Sequence, residues 1–250
     1  MKRIHIVGCP RSGTTLMHQL MSTCYESSGF CNFEKGIFKR VDASHSIYFS
    51  KKPDDLHIIE YVLKKKNNVH VICMLRDPRC VVSSIHYSNP EEYYCDFWMW
   101  EKCYDVMQKI RQHPKVLIIR YEDLLHTPDS IQRKIQSFCE ELVQKYSFVD
   151  FDKYATPSLE SLKAMRGLRS LDTSNIQSWM KHLPRVKQQL KRYPQMQQML
   201  ELSGYEKDSS WQKHLDHVET SNIGSYKKKR GILKDLEWRI RYRYKIWRMK

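Results

Sequence analysis

The sequence predicts an α/β fold: a P-loop-type parallel β-sheet flanked by helices, with a helical C-terminal extension. Three observations predict it. Short apolar, β-branched runs recur at residues 4–7, 69–75 and 116–119. Helix-forming stretches separate the later runs, at roughly 54–66, 91–113 and 128–145. A glycine loop, Gly8-Cys9-Pro10-Arg11-Ser12-Gly13-Thr14-Thr15, joins the first run to apolar residues at helical spacing, Leu16, Met17, Leu20 and Met21. Strands alternating with helices specify right-handed βαβ units and parallel pairing.

Each element has a local reason. Ile4, Ile6 and Val7 make the first strand. The run 69–75 has three β-branched members and reads as a strand buried on both faces. It ends at Arg76-Asp77-Pro78, where Asp77 suits a helix cap and Pro78 the first helical position. The third run ends at Arg120-Tyr121-Glu122-Asp123. From about 157 onward the pattern is helical and polar, and Pro194 breaks the stretch 188–202. Gly204, Ser209, Ser210, Gly224 and Ser225 mark 203–226 as a loosely structured connector. Leu233, Leu236, Ile240, Tyr244 and Trp247 then recur at spacings of 3, 4, 4 and 3, one apolar stripe on a basic helix. The expected organisation is a catalytic α/β domain over 1–202, a connector over 203–226 and a basic amphipathic helix over 227–250.

The formal net charge is +15, and it is uneven. From 226 to 250, eleven basic residues face two acidic ones, so this tail carries an excess of nine. Such a balance favours anionic partners. The eight cysteines form no C-x-x-C pair and no zinc spacing, which predicts reduced thiols and a cytoplasmic setting. No apolar core follows Met1-Lys2-Arg3 and no run reaches about 18 apolar residues, so neither a signal peptide nor a membrane span is expected.

The glycine loop sets the chemistry. Gly8, Gly13 and Thr15 fit the spacing G-x-x-x-x-G-K-[ST], but Thr14 stands where the lysine belongs. Loop N–H groups and a helix N-terminus hold an anion without that lysine. What is lost is the cation that reaches between β- and γ-phosphates. Arg11 supplies a bidentate cation from inside the loop instead. The loop therefore suits a compact, doubly anionic group. Arg76 stands at the carboxyl end of a second strand and Ser84 eight residues on, where a second phosphate fits.

Together, "CPRSGTT", "LRDPRCVVSS" and "IRYEDLLHTPDSIQRKIQSFC" resemble the sulfotransferases that use 3′-phosphoadenosine 5′-phosphosulfate (PAPS), over about residues 3–182. The resemblance implies the sulfotransferase fold, no metal, and adenosine 3′,5′-bisphosphate (PAP) as product. It implies that Arg11, Ser12, Gly13, Thr14 and Thr15 hold the 5′-phosphosulfate and that Arg76 and Ser84 hold the 3′-phosphate. Many cytosolic members have lysine where Arg11 stands, and their "RKG" motif is not evident. Instead "GLRSLDTSNIQSWMKHL" is similar to a segment of carbohydrate-type members, with Arg169 and Trp179 as the matching residues. A carbohydrate or lipid-linked hydroxyl or amine is the acceptor this implies.

Sulfuryl transfer needs a base for the acceptor proton. Glu34, in "GFCNFEKG", is the candidate, with His45 as the alternative. Lys51, in "SKKPD", resembles the Lys-x-Pro of relatives and assists the sulfuryl group. Glu122 and Asp123 read as architectural and His214 and His217 as solvated. The basic tail either packs on the catalytic body or lies on an anionic membrane surface; no nucleic-acid module is present. Two other functions fit the loop alone: a small-molecule kinase with a modified P-loop, and a non-catalytic nucleotide-binding scaffold.

Overall fold

The computed structural model describes residues 1–86, 89–228 and 231–247, with side-chain placement for all of these except 86, 232–236, 238, 239 and 243. The first strand, β1 (Lys2–Gly8), leads through the glycine loop into α1 (Thr14–Cys24). There follow β2 (Gly29–Phe30), β3 (Ile47–Lys51), α2 (Ile59–Lys65), β4 (Val69–Leu75) and α3 (Pro78–Val82). Next come β5 (Ile85–His86), β6 (Asn89–Cys95), α4 (Phe97–Ile110), β7 (Val116–Arg120), α5 (Tyr121–His126) and α6 (Pro128–Phe138). The chain ends with α7 (Phe151–Tyr154), α8 (Leu159–Met165), α9 (Leu183–Arg192), α10 (Met196–Leu202), β8 (Ser225–Lys227) and α11 (Ile232–Trp247).

The main sheet has the order β2-β3-β1-β4-β7, and every pairing in it is parallel. From β1 the chain builds to one side and then crosses back to the other. That reversal opens a crevice at the carboxyl end of β1, where ligands of such sheets bind. Ile4, Ile6, Val7, Val71, Ile72 and Cys73 are fully buried because layers of helices cover both faces of the central strands. Asp77 caps α3 as expected: its carboxylate accepts from the Arg79 N–H at 2.7 Å, and Pro78 is the first helical residue.

Four stretches differ from the expectation. The helix expected over 128–145 stops at Phe138, because Cys139 leaves the helical conformation. The helix expected over 91–113 begins only at Phe97, because Tyr93 and Cys95 alternate inward on β6, which pairs with β5 and β8 in a second sheet. The helix expected over 54–66 opens with a 3₁₀ turn at Pro53–Ile58. Residues 203–226 are more ordered than their glycines and serines imply. Trp211 and Leu215 bury in a 3₁₀ turn, and β8 pairs with β6.

A buried ionic cluster fixes β8. The Asp96 carboxylate accepts from Arg185 at 2.9 Å, from Ser225 at 2.6 Å and from Arg192 at 2.9 Å. The last helix, α11, packs Ile246 into the core and Tyr242 against Phe38, with ring centroids 5.9 Å apart. Its stripe faces elsewhere: Ile240, Tyr244 and Trp247 are exposed, while the side chains of Leu233 and Leu236 and residues 229–230 and 248–250 lie outside the described set.

Candidate active site

The glycine loop is built around positions that only glycine fills. Gly13 has φ +91°, and a Cβ there would meet the Tyr121 ring at 2.5 Å. Gly8 has φ +153°, and a Cβ would meet the Met74 carbonyl at 2.5 Å. Tyr121 and β4 thus press close behind the loop. Arg11 also lies in the left-handed region, at φ 74°, which turns its side chain across the loop. Its Nε donates to the Ser84 hydroxyl at 2.7 Å. Ser12 turns inward: its Oγ and its N–H both donate to the Cys9 carbonyl, at 2.6 and 3.1 Å. It braces the loop instead of facing a ligand. The first N–H groups of α1 have no intrahelical acceptor and open toward the crevice.

Arg76 enters from the end of β4. Its guanidinium lies over the Tyr121 ring at 4.2 Å and donates to the carbonyls of Arg11 at 3.1 Å and Asn175 at 3.2 Å. Its buried Nε has no partner among the described residues. A buried donor without an acceptor is costly, and an anion would satisfy it. Arg11, Gly13, Thr14, Thr15, Arg76, Ser84 and Arg169 all line one cavity of about 190 Å³. Burial, then the charges of Arg166 and Arg76, hold the Arg11 pKa below its ordinary value. Like charges gathered in this way are a receptor for a multiply charged anion.

Arg166 and Gly167, to which the sequence pattern assigns no role, also line the cavity. They end α8 with φ 60° and φ 99°. A signal was present, since an Arg-Gly pair after a helical run is a C-cap beside a cation.

A second group lies beside the loop. Lys51, 1% exposed at the end of β3, donates to Thr15 Oγ1 at 3.0 Å and pairs with Glu34 at 3.3 Å. Its ammonium sits 3.9 Å from the Phe33 ring centroid. Burial, set against the Glu34 carboxylate, lowers the Lys51 pKa from its ordinary value. Glu34 is placed by Arg3, whose buried guanidinium donates to the carbonyls of Lys35, Gly36, Ile37 and Lys39 at 3.3, 3.0, 2.9 and 3.1 Å. Asp55 adds an acceptor for the Ile37 N–H at 2.6 Å.

His45 is not part of this group. It precedes β3 and packs on Gly29 and Tyr48, so the length of that strand separates it from Lys51. Glu122 is a brace: it accepts from the Asp77 N–H at 3.0 Å and from the Tyr205 hydroxyl at 3.1 Å. Among the described residues, no group of three or more His, Cys, Asp or Glu side chains is placed to hold a metal ion.

A family model described as "Sulfotransferase domain" matches residues 1–193, more than three quarters of the chain. The chain belongs to the sulfotransferase family. The sulfotransferase domain from the curacin biosynthetic pathway is similar to it in fold, with TM-score 0.54 and 16% identity over 82% of this chain and 98% of that one. The sulfotransferase domain from the Synechococcus PCC 7002 olefin synthase shares 14% identity over 71% of this chain and 86% of that one, with TM-score 0.49. No curated protein matches the chain. The sulfotransferase is an enzyme of sulfuryl transfer, and its family implies PAPS as co-substrate. The residues present suit such a donor: guanidiniums around a lysine-free loop, an unsatisfied Arg76 Nε, and helix N–H groups open to an anion.

Proposed function

We propose that this sulfotransferase moves the sulfuryl group of PAPS to a hydroxyl or amine of a carbohydrate or lipid-linked acceptor, without a metal. The observation that carries the reading is Arg76, whose guanidinium has a buried Nε without a partner and which lines a cavity shared with Arg11, Arg166 and Ser84. Arg76 and Ser84 bind the 3′-phosphate. Arg169 borders the same cavity and contributes to the donor site. The N–H groups of Gly13, Thr14 and Thr15, with Arg11, hold the phosphosulfate.

Transfer breaks the bond between sulfur and the donor phosphate oxygen and forms one between sulfur and the acceptor atom. Arg11 stabilises the charge that develops on the leaving phosphate. Glu34 takes the acceptor proton on a carboxylate oxygen, and Lys51 holds Glu34 beside Thr15. Thr14 removes the loop's own ammonium for a γ-phosphate, and the neighbouring Lys51 ammonium is engaged by Glu34 and Thr15, which supports a bisphosphate over a triphosphate. Eight free, buried thiols support a cytoplasmic setting. The basic C-terminal segment supports an acceptor held at a membrane surface.

Titration calorimetry with adenosine 3′,5′-bisphosphate and, separately, with ATP and Mg²⁺ tests the donor. Binding of the bisphosphate is expected; binding of ATP–Mg²⁺ alone overturns the reading. Transfer of labelled sulfate onto glycan, lipid and phenolic acceptors tests the acceptor, and transfer to phenols alone would refute the acceptor class.

A further inference from the structure

We propose that the outward face of α11 docks on an anionic lipid bilayer and brings the acceptor-side segment to the membrane surface. The second half of this rests on the sulfotransferase reading above. Tyr242 and Ile246, four residues apart, face the body. Ile246 is 8% exposed, and Tyr242 meets Phe38. Lys245 sits 5.8 Å from the same Phe38 ring. Phe38 lies four residues beyond Glu34, in the segment that Arg3 pins. The inner face of α11 therefore grips the strip of chain that carries the proposed base.

The outer face is of another kind. Ile240, Tyr244 and Trp247 follow one another at four and three residues, and they are 61%, 56% and 74% exposed. The Tyr244 and Trp247 rings stack at 6.2 Å. Arg241 and Glu237 are exposed beside them, and the sequence from 226 to 250 carries nine more positive than negative charges. Tyrosine and tryptophan favour the bilayer interface, and cations favour anionic headgroups. No helix among the described residues is long and apolar enough to cross a membrane, so α11 lies along the surface. A nucleic acid offers phosphates but no apolar seat for Ile240. A second copy of the chain would set two basic tails against each other.

Sedimentation of the full chain with vesicles tests this, using phosphatidylcholine alone and mixed with phosphatidylserine. Binding to the mixed vesicles only, weakening with salt, is expected. The triple variant Ile240→Ser, Tyr244→Ser, Trp247→Ser keeps every charge and is expected to bind at least roughly tenfold more weakly. Equal binding by that variant, or no wild-type binding, overturns the proposal. So does a wild-type dimer that the variant abolishes, which would assign the face to a second copy. So does a preference for a nucleic-acid duplex over vesicles. Brominated lipid should quench wild-type tryptophan fluorescence more than that of Trp247→Phe, and equal quenching also refutes the docking. Adenosine 3′,5′-bisphosphate binding is measured on the same samples. Failure on vesicles with that binding intact refutes docking alone; the reverse refutes the donor reading alone.

Discussion

The Arg11 Nε and the Ser84 hydroxyl lie 2.7 Å apart, and this contact joins the glycine loop to the segment just after α3. In the proposed donor site one residue holds the phosphosulfate and the other the 3′-phosphate, so the two ends of the donor would be read by groups that touch. Arg11→Ala should lower kcat by about a hundred- to a thousandfold, the usual cost of losing a donor at a site of developing charge. Ser84→Ala should weaken bisphosphate binding by about tenfold and change kcat less. Steady-state kinetics and calorimetry on the two variants check the split. Equal losses in both measurements would contradict the division of roles.

Glu34→Gln should lower kcat by about a hundredfold or more while bisphosphate affinity holds, because the amide takes no proton. Arg3→Met should lower kcat too, through positioning: it frees four carbonyls that hold residues 35–39 in place. The rate of Glu34→Gln should show no further loss when Arg3→Met is added. Additive losses would separate Arg3 from Glu34.

Asp96 is the only carboxylate that Arg185 meets among the described ion pairs, and Arg185 is 1% exposed. Asp96→Ala leaves that cation buried and unpaired, and should cost about 3–5 kcal/mol of stability by urea denaturation. A change below about 1 kcal/mol would show that Arg185 finds solvent.

His18 predicts the acid limb of stability. Burial, then the Lys51 charge, push its pKa down to about 3 from the ordinary 6.5. Between those values the unfolded chain holds a proton that the folded chain does not, so stability falls as pH falls through that window. From pH 6.5 to 5 the loss from this residue is about 2 kcal/mol. His5, buried against Asp55, has its pKa lowered as well, first by burial, and acts in the same sense. Denaturation at these two pH values checks it, and His18→Gln should flatten the slope. An unchanged slope would place the titration elsewhere.

The candidate site was legible where its parts are contiguous in the sequence. Thr14 in the lysine position, Arg11 within the loop and the Asp77-Pro78 cap can each be read without a fold. What could not be read depends on distant segments meeting. Arg3 looks like a charge near the start of the chain, and only the structure shows it under residues 35–39. His45, the alternative to Glu34 in the sequence, lies before β3, at the end of that strand away from Lys51. Residues 91–95 read as the start of a helix because one partner of β6, the two-residue β5, is too short to give a strand pattern and the other, β8, comes about 130 residues later. Periodicity found the apolar stripe of α11 but not which side faces the body; Tyr242 and Ile246, outside that stripe, make the contact.

The backbone of Arg11 carries a further consequence. A non-glycine residue at φ 74° sits about 1 kcal/mol above its relaxed conformation. Arg11→Gly would relieve that strain and remove the cation, so the chain should resist denaturation better while kcat falls as far as in Arg11→Ala. On the proposed role of Arg11, the native loop is a compromise that gives up a little stability to set a cation beside the leaving phosphate.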